Sequence, residues 1–297
     1  MSAVLNFPTQ PSALNLIKAR DEAAKQHAAA GLFFPVGCQP LSELTGMPDR
    51  GLQAVVRKDT NTVLAVHGQR YSLIKNSEVY ERVDAAIRES DVLDTNGMEI
   101  VDSIAYEGGR SIRSYIFPEH KISIGRGRRD VTNLRLNVIN SYDGSTNLRI
   151  NMGGYRLVCA NGMVVGTDVS NYVARHTSGF KVDEVKQRVA ASVENFVTMG
   201  NQWRKWSKEP CSDEKAIGLI SEFARGSLAM NNKLFDIWMN ESKTLGKTMW
   251  AFFNALTYWS THAEIKEASI PNAPAIVLER EARVSRFLGN PLIKAAA

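Results

Sequence analysis

Four asparagines and two arginines alternate with apolar residues along the two arms of one hairpin, residues 131–152. Asn133, Arg135 and Asn137 interleave with Leu134, Leu136 and Val138; Asn147, Arg149 and Asn151 interleave with Leu148, Ile150 and Met152. Successive strand residues point to opposite sides of a sheet, so each arm carries an Asn-Arg-Asn row on one side and an aliphatic row on the other. Asn is a poor strand former. Amides and guanidiniums together suit phosphate, sugar and base edges, so the polar rows read as a nucleic-acid contact. Just upstream, Arg126, Arg128 and Arg129 stand beside Gly125 and Gly127, a loop able to fold onto a ligand.

The turn between the arms sets their register. A two-residue Asp143-Gly144 loop would mix the two rows. A three-residue loop, Tyr142-Asp143-Gly144, keeps them apart, pairs Asn137 with Arg149 and Arg135 with Asn151, and puts Gly144 in a left-handed position. The expectation is one buried aliphatic face and one exposed face on which Arg135 and Arg149 lie together.

Charge concentrates in the same third of the chain. The 297 residues hold 36 basic and 31 acidic side chains, a net charge of +5. Between Arg110 and Arg175 lie ten basic residues, nine of them Arg, against four acids, so the rest of the chain is close to neutral. Arginine favours planar, bidentate contact with phosphate or carboxylate. Two readings stay open: an anionic partner, or a solvated sheet face whose cations pair with acids from the flanks.

Other chemistry is sparse. Cys38, Cys159 and Cys211 form no CxxC spacing and fit a reducing cytoplasm; the five histidines form no metal-binding pair. Gly246-Lys247-Thr248 lacks the earlier glycine of a phosphate-binding loop, because Glu241 occupies its place. Asp130, Asp143 and Asp168 could gather around magnesium as in a nuclease, though Asp143 more simply shapes its turn. No cofactor or metal is expected. No apolar stretch is long enough for a membrane span, and the first 30 residues have no secretory pattern. The tryptophans of the C-terminal half read as core at helical spacing, with Trp203-Arg-Lys-Trp206 set apart as a stacking candidate.

These residues need elements to hold them. Residues 1–50 read as a leader with a short Ala-rich helix followed by a wrapped loop. Residues 51–180 read as a mixed antiparallel sheet region with one helix: strands at 53–58 and 62–66, a helix N-capped by Asn76, and strands 100–106 and 111–117 about Gly108-Gly109. Residues 181–297 read as helical. Val185, Val189, Val193, Phe196 and Trp203 recur with helical period before Pro210, and further helices are expected at 212–230, 233–239 and 247–268. The fold class is α+β: a central antiparallel sheet with hairpins, then a helical C-terminal half.

Asn140-Ser-Tyr-Asp-Gly-Ser145, followed by Gly154-Tyr-Arg-Leu-Val-Cys-Ala-Asn-Gly162, closely resembles the Asn-Ser-His-Asp-Gly-Ser … Arg-x-Val-Cys-x-Asn signature of a phage and plasmid family. This family is known as domain of unknown function 932 and includes prophage proteins of the YfjQ/YafZ type. Tyr71-Ser-Leu-Ile-Lys-Asn76 and Gly108-Gly-Arg-Ser-Ile112 match as well, so the resemblance covers roughly residues 50–200. Tyr142 stands where the family usually has His, which argues against proton or ligand chemistry at that position. The resemblance implies mobile-element biology and no particular reaction.

Charge and context together lead to an expected function: a non-catalytic single-stranded DNA-binding protein of a phage or other mobile element. It would act in the cytoplasm in recombination or replication, with strand annealing as an allied role and room for self-association as a homo-oligomer. The contact residues would be Arg113, Lys121, Arg126, Arg128, Arg129, Arg135, Asn137, Tyr142, Asn147, Arg149 and Arg156. One alternative is a regulatory or protein-interaction factor without DNA contact; a magnesium-dependent nuclease is the third.

Overall fold

A computed structural model of the chain describes residues 31–124, 130–157, 161–164, 172–174 and 182–289. The expected leader, the Arg126, Arg128 and Arg129 loop, Asp168 and the end of the tail lie outside the described residues.

Two antiparallel sheets precede a helical half, the α+β order expected from the sequence. The small sheet is β1 (Val36–Pro40), β2 (Leu52–Arg57) and β3 (Thr62–Gly68), with α1 (Leu41–Thr45) linking β1 to β2. β1 falls in the segment expected as a wrapped loop: Pro and Gly obscure its alternation, and pairing to β2 makes it a strand. After α2 (Asn76–Arg88) comes the large sheet, in spatial order β4 (Glu99–Ala105), β5 (Arg110–Ser123), β6 (Val131–Ser141), β7 (Leu148–Arg156) and β8 (Asn161–Val164). β9 (Tyr172–Ala174) pairs with the first residues of β7. The helical half is α3 (Val182–Trp206), α4 (Asp213–Ala224), α5 (Leu228–Leu245), α6 (Met249–His262) and α7 (Ala273–Gly289).

The alternation in β6 and β7 survives, but the register does not. Asn137 lies opposite Asn151 and Arg135 opposite Gly153, a slip of two residues from the expected pairing. The turn is wider than three residues because its groups have other partners. The amides of Tyr142 and Asp143 donate to the Gly109 carbonyl of the neighbouring hairpin at 2.7 and 3.3 Å. Asp143 Oδ1 accepts from the Ser145 amide at 2.9 Å and the Ser141 hydroxyl at 3.0 Å, so Asp143 shapes its turn. Gly144 is left-handed, at φ 71°. An even slip leaves each row on its own face.

The aliphatic face is covered, and so is the β6 part of the opposite face. Leu134, Leu136, Val138, Leu148, Ile150 and Met152 pack into one core with Val79, Tyr80 and Val83 of α2 and Val185, Val189 and Phe196 of α3. The Asn-Arg face of β6 was expected in water. Instead Asn133, Arg135 and Asn137 are buried, with α7 across that side: Glu281 meets Arg135 and Glu279 meets Arg110. α7 was not anticipated. Prolines at 271 and 274 and the charges Glu279, Arg280, Glu281, Arg283 and Arg286 dilute its apolar period, although proline in a first turn is compatible with a helix.

The expected helix over 212–230 is divided. Arg225 and Gly226 take φ of 49° and 81°, ending α4, and α5 starts afresh on the Ser227 cap. Thr248 of the Gly246-Lys247-Thr248 segment caps α6. Trp203 and Trp206 are core residues; Trp203 stacks on Phe253 and sits edge-on to Phe196. They are therefore not available as stacking platforms.

Candidate nucleic-acid interface

Five of the expected contact residues are interior. Arg113 belongs to the opposite face from Arg135, because it pairs with Val138. There its guanidinium grips Asp102 at 2.7 and 2.8 Å and reaches Asp84 at 3.1 Å, and the Asp102 bond raises its pKa above the ordinary arginine value. Arg135 donates to Glu281 at 2.6 Å. Arg156 meets Asp130 at 2.5 Å and lies 3.8 Å from Glu241, whose carboxyl burial pushes upward in pKa. The amide oxygen of Asn137 accepts from the Ser114 hydroxyl at 2.7 Å. Tyr142 is fully covered, and burial raises its phenol pKa. The three desolvated guanidiniums, Arg113, Arg135 and Arg156, are each held by a carboxylate, so their charge is spent inside the protein.

Lys121 and Arg149 are exposed and Asn147 half-buried, which leaves three described residues of the expected set within reach of a ligand. The two described acids among those considered for magnesium are likewise committed. Asp130 also accepts from the Trp250 indole at 3.1 Å, and Asp143 serves its turn. Among the described residues no three His, Cys, Asp or Glu side chains come together as a metal site.

The motif segments behave differently, for they converge. Asn76 does not cap α2 with its side chain; it is the first helical residue and the centre of a buried network. Its backbone amide donates to the Tyr142 hydroxyl at 2.7 Å, and its side-chain amide donates to the Leu32 carbonyl at 2.6 Å. Its side-chain oxygen accepts from Ser111 at 2.8 Å and from Asn140 at 2.9 Å. Tyr80 donates to Ser111 at 2.8 Å, and burial raises the Tyr80 pKa as well. Residues from all three segments, 71–76, 108–112 and 140–145, thus bond to one another. A phenol at position 142 fills a structural place here, as hydrogen-bond acceptor for the start of α2.

Gly162 of the same signature has a steric reason. A Cβ there would overlap the Glu281 carboxylate and come within 2.6 Å of Arg135 Nη1, so only glycine lets β8 pass over the buried ion pair.

Above the network opens a cleft of about 300 Å³, lined by Phe33, Phe34, Lys58, Lys75, Asn76 and Tyr142 among others. Phe34 and Tyr142 form its inner wall, edge to face at 5.9 Å between centroids. Phe33 is 51% exposed at the rim. Lys58 and Lys75 are exposed and meet no carboxylate among the described residues. Lys75 gives α2 no side-chain cap and Tyr142 takes only its first amide, so the amides that follow add positive potential beside Lys75. The cleft combines two unpaired ammonium groups, a helix start and an accessible ring. Lys58 and Lys75 escaped the sequence reading because they lie outside the basic third; only tertiary contact brings them together.

No helix among the described residues is long and apolar enough to cross a membrane. A family model described as Domain of unknown function (DUF932) matches residues 63–285, about three quarters of the chain. No curated protein and no solved structure matches.

Proposed function

For a chain that belongs to the Domain of unknown function (DUF932) family and joins three of its motif segments beneath one cleft, we propose binding of single-stranded nucleic acid at that cleft, without cleavage. The observation that carries this reading is Lys58 and Lys75, neither engaged by a carboxylate among the described residues, lining one cleft with the exposed ring of Phe33. Proteins that hold single strands without reading their sequence join a cationic track to aromatic platforms on which bases stack. Lys58, Lys75 and the start of α2 would meet phosphates, and Phe33 would take a base. A role in strand annealing, recombination or replication, with self-association along the strand, follows from the mobile-element resemblance.

Salt-titrated fluorescence anisotropy with a dT oligonucleotide tests the proposal. Lys58→Ala with Lys75→Ala should reduce the slope of log K against log salt by about 1.4, at about 0.7 per lost phosphate contact. Phe33→Ala should cost about 1–3 kcal/mol of binding. An unchanged slope and affinity in both folded variants rejects the cleft.

One observation favours the protein-interaction alternative. β4 is an edge strand of the large sheet and exposes Ile100 and Val101, each at 45%. An open edge with apolar side chains is a template for strand addition by a partner. Failure of the wild-type protein to bind any oligonucleotide would move this reading ahead.

A further inference from the structure

A second cationic site lies in the helical half, apart from the cleft. Arg225, at the end of α4, and Arg283 and Arg286 of α7 line a recess of about 360 Å³ together with Phe223. Arg283 is its fixed member. Its Nη2 donates to the Phe223 carbonyl at 2.6 Å, and its guanidinium lies 4.5 Å from the Phe223 ring centroid and 5.6 Å from that of Trp259. Arg225 and Arg286 stand exposed beside it. Among the described residues none of the three comes within 4.0 Å of a carboxylate oxygen, although Glu222 also borders the recess.

Burial first, and then the charges of Arg225 and Arg286, push the Arg283 pKa below its ordinary value. A helix C-terminus attracts a cation, and Arg283 serves α4 in that way. That role does not call for two more guanidiniums at the same recess. Arg225 is there at a cost: its φ of 49° is left-handed, a conformation that disfavours any residue with a Cβ, while the residue after it is the glycine. Three like charges with no carboxylate in contact repel one another, and an oxyanion between them would remove that repulsion. Guanidinium groups offer paired N–H donors matched to phosphate oxygens.

We infer that the recess between α4 and α7 binds a phosphoryl group, with Arg283 as its floor and Arg225 and Arg286 closing on it from the rim. The site shares no residue with the cleft at α2, so either can fail without the other. The phosphoryl group could belong to a free phosphate or phosphomonoester, or to the backbone of a nucleic acid.

Phosphorus NMR of inorganic phosphate titrated with the full chain at constant ionic strength is the direct test. Saturable line broadening is expected, with affinity at least about tenfold weaker in Arg225→Ala with Arg286→Ala. Both side chains are exposed, so this variant should keep the fold, which circular dichroism verifies; Arg283→Lys keeps the charge but loses the fork and should also bind weakly. A dT oligonucleotide without terminal phosphates separates the sources. Phosphate competition with it that disappears in the double variant assigns the recess to backbone phosphates, and persistent phosphate binding without competition assigns it to a small ligand. No saturable broadening in the wild type, or equal affinity in the double variant, overturns the site.

Discussion

Two trios of arginines divide this molecule. Arg113, Arg135 and Arg156 sit in the large sheet, each no more than 8% exposed and each against a carboxylate, at 2.7, 2.6 and 2.5 Å. Arg225, Arg283 and Arg286 sit at the α4–α7 recess with no carboxylate oxygen within 4.0 Å among the described residues. The first trio comes from the most basic third of the sequence, yet it presents little charge to solvent. The second comes from outside that third, where the chain as a whole is close to neutral, yet it converges without a carboxylate in contact among the described residues. Cation density along a chain is therefore a poor guide to surface potential, because the partner of a buried arginine comes from elsewhere in the sequence. Arg135 and Glu281 are 146 positions apart.

The largest consequence lies in the sheet. Glu281→Ala leaves Arg135 buried and unpaired and should cost about 3–5 kcal/mol of stability in urea unfolding. Replacing both partners by apolar residues, Arg135→Met with Glu281→Leu, should recover most of that loss. A cost below about 1 kcal/mol for Glu281→Ala would mean that the pair is hydrated and the two trios are alike.

Asp102→Asn is milder, since Arg113 keeps Asp84. A loss of about 1.5–3 kcal/mol is expected, the range for a hydrogen bond to a charged group. No loss would remove Arg113 from the structurally committed trio.

Arg225→Gly should go the other way. Relief of the left-handed strain should raise stability by about 1–2 kcal/mol, read as a higher urea midpoint, while phosphate affinity falls. A destabilised variant would show that the Arg225 side chain holds the α4–α5 junction and is not there for a ligand.

Arg286→Ala should have the smallest effect. An exposed arginine without a carboxylate partner should change thermal stability by no more than about 0.5 kcal/mol. A larger loss would place Arg286 with the structural trio.

Much of this was legible locally. The period of two in β6 and β7 kept its rows on separate faces even though the turn was misjudged by two residues, because parity follows from the pleat alone. The heptad-like spacing of Val185, Val189, Phe196 and Trp203 gave α3 its buried side. Left-handed Gly144 needed nothing beyond its turn. The motif residues could be picked out by resemblance, but not their bonding: Asn76 looks like a cap in sequence and works as a hub.

What the sequence by itself determined, then, is which residues alternate, which helices carry an apolar stripe, and which family the chain resembles. Whether a polar row meets water or another element was decided only in three dimensions. α7, whose own pattern is too charged to read, brings Glu281 onto Arg135, and Gly162 leaves the room that lets them meet. The same assembly sets Lys58, Lys75 and Phe33 around one cleft and gathers three arginines at one recess. The reason is physical. Periodicity records only the local question of which side a residue faces, whereas ion pairing and exposure depend on contacts between segments far apart along the chain.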